Sequence, residues 1–423
     1  MRNPLTPLEA EQRLTALELF GMRFGLDRMQ RLMTALHHPE REFRSVHVVG
    51  TNGKSSTARM LAAILTRHGH RTGAYLSPHL VSFCERIRID DNDIPPERFA
   101  AAVERGLLAA ERVNRGADGG DVVTQFELLT AAAYSELSAQ GVEFAVIEAG
   151  LGGRYDATHV ISSEVQVLTS VGLDHTRWLG STIAEIAREK LDVVQPGATL
   201  VLGPGMHPEA ESIAEQIAAD RGAVIVRAGA DPGVAVGALG AFQRRNFAVA
   251  CAAAEALLGA LDPVAVAAAA ADVRVPGRMQ VTGERPLTVL DGAHNPDGIG
   301  ALIEALHEFA GDRRLVGVVS ILDDKDAGAM LASLASSCAA LVLTASRNPR
   351  SLAPTSLEAH VAGLGAAAAG TVIETVTQPR KALARARALA GCDGVVVATG
   401  TLYLIGELLS PTDPAAGRRA STL

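Results

Sequence analysis

Ser45-Val46-His47-Val48-Val49 is a short apolar run, and it passes directly into Gly50-Thr51-Asn52-Gly53-Lys54-Ser55-Ser56 and an amphipathic segment reaching Arg67. A strand, a glycine-bearing loop with a Lys-Ser pair, and a helix, in that order, make a polyphosphate cradle. The glycines let backbone N–H groups approach phosphate oxygens, the helix N-terminus adds positive potential, Lys54 reaches the β and γ oxygens, and Ser55 can ligate magnesium. The loop departs from the full GxxxxGK[ST] pattern, because Val48 stands six residues before Lys54. A plain glycine turn is the competing reading of the loop alone.

Outward from this loop the same grammar repeats. Thr72 to Leu76, Phe144 to Glu148, Val165 to Val171 and Thr199 to Leu202 read as strands, with helical patterns at Phe126 to Gln140 and Ile183 to Val194. Turn formers then cluster at Val275-Pro276-Gly277-Arg278 and Gly283-Glu284-Arg285-Pro286. Strand runs resume at Leu287 to Leu290, Leu315 to Val319, Ala340 to Thr344 and Val395 to Ala398. The expected fold is α/β with two domains. Residues 1–282 form a P-loop-type, mostly parallel sheet flanked by helices, and residues 283–423 a smaller Rossmann-like α/β domain, with the boundary at 279 to 286.

The chain has 423 residues, 48 % of them hydrophobic and 20 % charged, which is globular composition long enough for two or three domains. Lys+Arg 39 against Asp+Glu 47 gives a net charge of −8, which speaks against sequence-independent nucleic-acid binding. Cys84, Cys251, Cys338 and Cys392 contain no CxxC pair, so neither a disulfide framework nor a zinc site is expected. The amphipathic N-terminus lacks the apolar region of a signal peptide, and the most apolar stretch, Val264 to Ala271, falls far short of the roughly 20 residues a membrane span needs. A cytoplasmic protein without membrane or nucleic-acid partners, and a monomer, is expected.

Two further strand ends carry candidate ligands. Glu148 closes an apolar strand and leads into Ala149-Gly150-Leu151-Gly152-Gly153-Arg154-Tyr155-Asp156-Ala157-Thr158, and Asp174-His175-Thr176 follows the next. Carboxyl ends of strands hold ligands in open α/β sheets, so a carboxylate and an imidazole there suit magnesium. Taken singly, Glu148 also reads as an N-cap or surface carboxylate and His175 as a satisfied loop histidine.

Gly50 to Ser55, Ser77-Pro78-His79-Leu80, Glu148 to Thr158, Asp174-His175-Thr176, Glu189-Lys190, Asp291-Gly292-Ala293-His294-Asn295-Pro296 and Thr399-Gly400-Thr401-Leu402-Tyr403 occur in one order along nearly the whole chain. Together they resemble the folylpolyglutamate synthase/dihydrofolate synthase family of the Mur ligase superfamily. The resemblance implies ATP-dependent ligation of L-glutamate to dihydropteroate, to (tetrahydro)folate, or to both, through an acyl phosphate. It implies that Lys54 holds the β/γ phosphates, that Ser55 ligates a first Mg2+, and that Ser77, Glu148 and His175 ligate a second. It also implies a carbamylated Lys190, nucleotide contacts from Asn246 and Arg278, and closure of Asp291 and His294 over ATP and glutamate. Phe126, Asp156 and Ala157 correspond to pterin-binding positions. From the residues alone, Lys190 reads sooner as a helix-surface lysine and Phe126 sooner as core, and Asp291 reads also as an N-cap.

Tyr155 and His159 depart from the commoner leucine and asparagine, Leu191-Asp192 replaces alanine-glycine, and Ser320 to Asp326 is a variant string. These departures bear on acceptor specificity, since none removes a phosphate or metal group. The rivals are a nucleotide-hydrolysing switch or transport ATPase, which does not explain Asp291 to Pro296, and a Mur-type ligase acting on a different acid. The second rival would need a separate N-terminal domain, for which the roughly 45 residues before the loop are too few. An acyl phosphate must be kept from water, so phosphate, metal and second-half residues are expected to act together through domain closure.

Overall fold

The computed structural model describes residues 4–17, 25–115 and 122–411. The chain divides into two compact units. The first is Met1–Gly237 with Arg244–Val273, and the second is Ala238–Gln243 with Arg274–Leu423.

Among the described residues, the first unit's sheet has eight strands: β1 Arg44–Val49, β2 Thr72–Tyr75, β3 Ile87–Ile89, β4 Asn92–Asp93, β5 Phe144–Glu148, β6 Val165–Leu168, β7 Thr199–Leu202 and β8 Val224–Arg227. Their order is β4-β3-β2-β5-β1-β6-β7-β8. All pairs from β2 to β8 are parallel, and β3 and β4 add an antiparallel edge. β1 is central, with Val46, Val48 and Val49 fully buried. A central parallel strand is covered on both faces, which is why it reads as a continuous apolar run instead of an alternating one. The order places the carboxyl ends of β5 and β6 on either side of β1, so Glu148 and Thr169-Ser170 flank the loop that leaves β1.

The helix Lys54–Arg67 follows that loop directly, with Gly53 at its N-cap in left-handed conformation, φ 86°. Glycine takes this conformation without steric penalty, which lets the chain turn into the helix with its N–H groups exposed to the loop.

In the second unit, β9 Gln280–Glu284, β10 Leu287–Leu290, β11 Leu315–Val319, β12 Ala340–Leu343, β13 Val372–Thr375 and β14 Val395–Thr399 are ordered β13-β12-β11-β14-β10-β9. All are parallel except β9, which pairs antiparallel with β10. The expected boundary at 279 to 286 is corrected here. Gly283 and Glu284 belong to β9 and pair with Thr288 and Leu287, so Gly283-Glu284-Arg285-Pro286 turns a hairpin inside the second sheet, and the units divide at Val273/Arg274. Turn-forming residues mark hairpins and linkers alike, and only the strand pairing separates the two.

Candidate active site

The phosphate loop is fixed by two hydroxyl residues at the end of β6. Thr169 Oγ1 donates to Asn52 O (2.7 Å), Ser170 Oγ accepts from Asn52 N (2.9 Å), and Thr51 N donates to Ser170 O (2.9 Å). Gly50 lies at φ +151°, and a Cβ there would fall 1.9 Å from Thr169 Oγ1. The strand expected to reach Val171 stops at Leu168; Thr169 N still donates to Val49 O (3.0 Å), and beyond it the Thr169 and Ser170 hydroxyls serve this loop.

Lys54 Nζ donates to Gly50 O (3.0 Å) and Thr51 O (3.1 Å). Lys190 Nζ donates to the same Gly50 carbonyl at 2.9 Å. Lys190 lies on the helix Ile183–Leu191 and is 3 % exposed, so it is no surface lysine. Burial, reinforced by the Lys54 charge, pushes its ammonium down to about 7. Its neutral amine is therefore far more accessible near neutral pH than that of an exposed lysine, which stays charged there.

Glu148 is 1 % exposed at the end of β5. Its Oε1 accepts from Ser55 Oγ (2.7 Å) and its Oε2 from Ser77 N (3.0 Å). Three candidate ligands, Ser55, Ser77 and Glu148, are therefore joined directly, across 93 residues in the case of Ser55 and Glu148. Burial excludes the surface-carboxylate reading of Glu148. His175 adopts φ 51° at the N-cap of Thr176–Leu179, with its N–H donating to Asp174 Oδ1 (2.8 Å). Its Nε2 lies 3.9 Å from the same carboxylate oxygen.

Asn246 stands beside the loop, on the helix Ala241–Leu258, and a Cβ on Gly53 would fall 2.6 Å from its Oδ1. Ser56 is buried in the first turn of the loop helix.

The loop from Gly150 to Thr158 packs on the helix of Lys190: Arg154 N donates to Glu189 O (3.0 Å), and a Cβ on Gly153 would meet Lys190 O at 2.5 Å. Phe126 is half-buried next to it, its ring 6.2 Å from that of Tyr75 in a stacked pair and so close to Gly150 that a Cβ there would fall 2.5 Å from Cζ. Phe126 is thus a partly open aromatic shelf and not closed core. Asp156 is buried, and both its oxygens serve its own loop. Oδ2 accepts from Leu151 N (2.7 Å), Oδ1 accepts from Thr158 N (3.0 Å) and the Thr158 hydroxyl, and burial raises its carboxyl above the usual range. Ala157 opens the short turn that follows.

In the second unit, Asp291 Oδ2 accepts from Met279 N and Oδ1 from Ala293 N, both at 2.8 Å. Burial pushes its carboxyl up, and the Arg278 charge opposes that. The N-cap reading of Asp291 is corrected: Asn295 caps the helix Pro296–Ala310. Arg278 Nη1 is buried without a hydrogen-bond partner, and a Cβ on Gly292 would fall 2.5 Å from it. A buried unpaired guanidinium N–H is costly, and an anionic ligand would satisfy it. His294 Nδ1 lies 2.9 Å from Gly292 O.

His47, Thr169 and Ser170 were given no role by sequence reasoning, and Asp174 and Thr158 entered only as members of the quoted motifs. A Thr-Ser pair at a strand's carboxyl end was the visible signal for Thr169 and Ser170.

Residues 277–402 match the family described as Mur ligase, glutamate ligase domain. The dihydrofolate synthase/folylpolyglutamate synthase of Mycobacterium tuberculosis is 36 % identical over 370 residues, covering 78 % of this chain and 75 % of the relative. The chain belongs to the dihydrofolate synthase/folylpolyglutamate synthase family. It is an ATP-dependent ligase with the two-domain Mur ligase fold. The M. tuberculosis folylpolyglutamate synthase structure complexed with ADP superposes with TM-score 0.87 at 31 % identity, over 95 % of this chain and 97 % of that one. The Yersinia pestis bifunctional folylpolyglutamate synthase/dihydrofolate synthase, complexed with AMPPNP and Mn ion, gives TM-score 0.83 at 27 % identity, over 96 % and 97 % of the two chains. This membership sets aside the switch and transport readings. Among the described residues no helix is long and apolar enough to cross a membrane.

Proposed function

We propose that this ligase joins L-glutamate to dihydropteroate, to a reduced folate, or to both, by way of an acyl phosphate. The observation that supports it most is the cluster at the end of β1, where the Glu148 carboxylate bonds to the Ser55 hydroxyl while the Lys54 and Lys190 nitrogens share the Gly50 carbonyl.

The residues fit a divalent cation. Magnesium keeps several waters and takes one or two protein oxygens plus phosphates, so a buried carboxylate with adjacent serine hydroxyls suits it without a cage. Among the described residues no group of three or more His, Cys, Asp and Glu side chains forms such a cage. Ser55 would hold one cation with the phosphates, and Ser77, Glu148 and His175 a second. A cation there supplies charge neutralisation for the γ-phosphoryl group.

The acceptor carboxylate oxygen attacks the γ-phosphorus of ATP, ADP leaves, and a mixed anhydride results. The glutamate amine then attacks the acyl carbon, phosphate leaves, and the amine gives up a proton. Lys54 and the loop N–H groups hold the phosphates, and positioning with charge stabilisation supplies most of the acceleration, so no protein nucleophile is needed. Asn246 and Arg278 are the proposed nucleotide contacts. Asp291 shapes the turn that presents His294, the proposed contact to ATP and incoming glutamate. Phe126, Asp156 and Ala157 receive the flat pterin, with Asp156 also fixing the loop that carries Ala157. Lys190, with its ammonium destabilised by burial, meets the chemical requirement for adding carbon dioxide, and a carbamate there would be a carboxylate-like metal ligand. The cysteines without CxxC spacing support a reducing compartment such as the cytoplasm, and a monomer is part of this reading.

The test is an acceptor labelled with heavy oxygen in its carboxylate. Label appearing in the released inorganic phosphate supports the acyl phosphate, and label retained wholly in the organic product or in water refutes it.

A further inference from the structure

His47 is the second residue before Val49 on central β1, 1 % exposed, and nothing in the proposed chemistry uses it. Its Nε2 lies 2.8 Å from Thr158 Oγ1, a contact across 111 residues between the strand that carries the phosphate loop and the end of the Gly150–Thr158 loop. The direction of these hydrogen bonds follows from counting protons. Asp156 accepts backbone N–H groups on both oxygens, from Leu151 and from Thr158. With the Asp156 carboxylate ionised, both oxygens can only accept, so the Thr158 hydroxyl that also bonds Oδ1 donates its single proton there. Its oxygen is left to accept, so His47 must donate through Nε2–H. Tyr134 OH donates to Thr158 O (3.0 Å) and fixes the same residue from the helix Gln125–Ala139, which also carries Phe126. The chain of bonds runs from His47 through Thr158 and Asp156 to Leu151 N. It ends beside Gly150, whose backbone lies against the Phe126 ring.

We propose that His47 is a positioning residue for the acceptor: its Nε2–H orders the Thr158 hydroxyl, and through Asp156 this sets the loop that forms one wall of the Phe126 shelf. The inference rests on the acceptor reading of Phe126 and Ala157 given above. His47 does not touch substrate, so its removal acts on acceptor affinity and leaves phosphate handling alone. A buried hydroxyl that loses its donor can rotate, and Asp156 then loses one of its three bonds. Deep burial keeps the imidazole neutral, its protonation pushed down to about 3, so the relay has one proton arrangement across the working pH range.

The experiment compares His47→Phe, Thr158→Val and Thr158→Ser in the full-length protein. His47→Phe and Thr158→Val should each raise the KM for dihydropteroate or reduced folate about tenfold, equivalent to about 1.4 kcal/mol. The KM for ATP and kcat should stay within about twofold. Thr158→Ser, which keeps the hydroxyl, should restore the wild-type KM. The double variant should be no worse than either single one, because both break the same relay. Equal rises in the KM for ATP and acceptor, additive double-variant effects, or unchanged KM values would each overturn the proposal. Inactivity of the wild-type protein on every folate acceptor would instead overturn the acceptor reading, and the relay with it. Nitrogen NMR of labelled histidine in the wild-type protein gives a readout that needs no variant to fold. The Nε2–H tautomer, unchanged from about pH 6 to pH 9, is expected, and an Nδ1–H tautomer refutes the relay.

Discussion

Gly50→Ala tests the phosphate-loop geometry at its tightest point. Gly50 lies at φ +151°, and the added Cβ would fall 1.9 Å from Thr169 Oγ1 and 3.1 Å from Ser170 N. Thr169 cannot swing away without giving up its 2.7 Å bond to Asn52 O. The backbone conformation, far from the left-handed α region, costs an alanine about 1–3 kcal/mol, and the lost hydrogen bond about 1 kcal/mol more, giving a destabilisation of about 2–4 kcal/mol. The Gly50 carbonyl also receives both Lys54 and Lys190. Shifting it displaces both ammonium groups, so ATP affinity should fall tenfold or more. Gly69→Ala is the matched control: φ is +87°, but nothing lies within 4 Å of the new Cβ, so only the backbone cost of about 1–2 kcal/mol is expected and ATP binding should be unchanged. Thermal melting and calorimetric titration with ATP measure both variants. Equal stability losses in the two, together with unchanged ATP affinity in Gly50→Ala, would refute the reasoning.

Lys54→Ala removes the loop's own cation, and turnover should fall by at least about a hundredfold while melting stays close to wild type; a folded variant with wild-type turnover would sink the nucleotide assignment. Substituting Glu148 or His175 by alanine should raise the magnesium concentration needed for half-maximal rate, and manganese-soaked crystals should show anomalous density within coordination distance of both side chains in the wild type; density away from both contradicts the ligand set. Lys190 should gain the mass of carbon dioxide in native mass spectra taken in bicarbonate, and Lys190→Ala should be slow unless a short carboxylic acid is added. In carbon-dioxide-free buffer, the unfolded chain binds the Lys190 proton up to about pH 10.5 and the folded one only up to about 7. Stability should therefore rise with pH between those values and the rise should vanish in Lys190→Met; a wild-type curve as flat as the variant's would contradict the burial effect.

Much of the first unit was legible because its elements are buried on both faces. β5, β7 and the helix Lys54–Arg67 lie where their apolar runs place them, and β10 and β11 in the second unit do too. β8 and β13 were missed because both are edge strands with exposed ends, and Val224 and Val372 face solvent, so neither leaves a buried run to read. The hairpin of β9 looked like a linker because Gln280–Glu284 is a largely exposed edge strand with no apolar run to read, although its partner β10 follows directly. The motifs named Glu148, Ser55, Ser77 and Lys190 separately, but their joining could not be read locally. It depends on β5 lying beside β1, a neighbour relation set by sheet order and not by sequence distance. The same holds for His47, which looks like any strand residue until Thr158 is brought to it from 111 positions away.

The central claim is that this fold makes an amide bond between glutamate and a pterin-bearing acid. Purified protein with ATP, magnesium and isotope-labelled L-glutamate, offered dihydropteroate and tetrahydrofolate in separate reactions, should form in at least one of them a product heavier by one labelled glutamyl residue, with one ADP released per bond. ADP release without any labelled amide product from either acceptor would contradict the account.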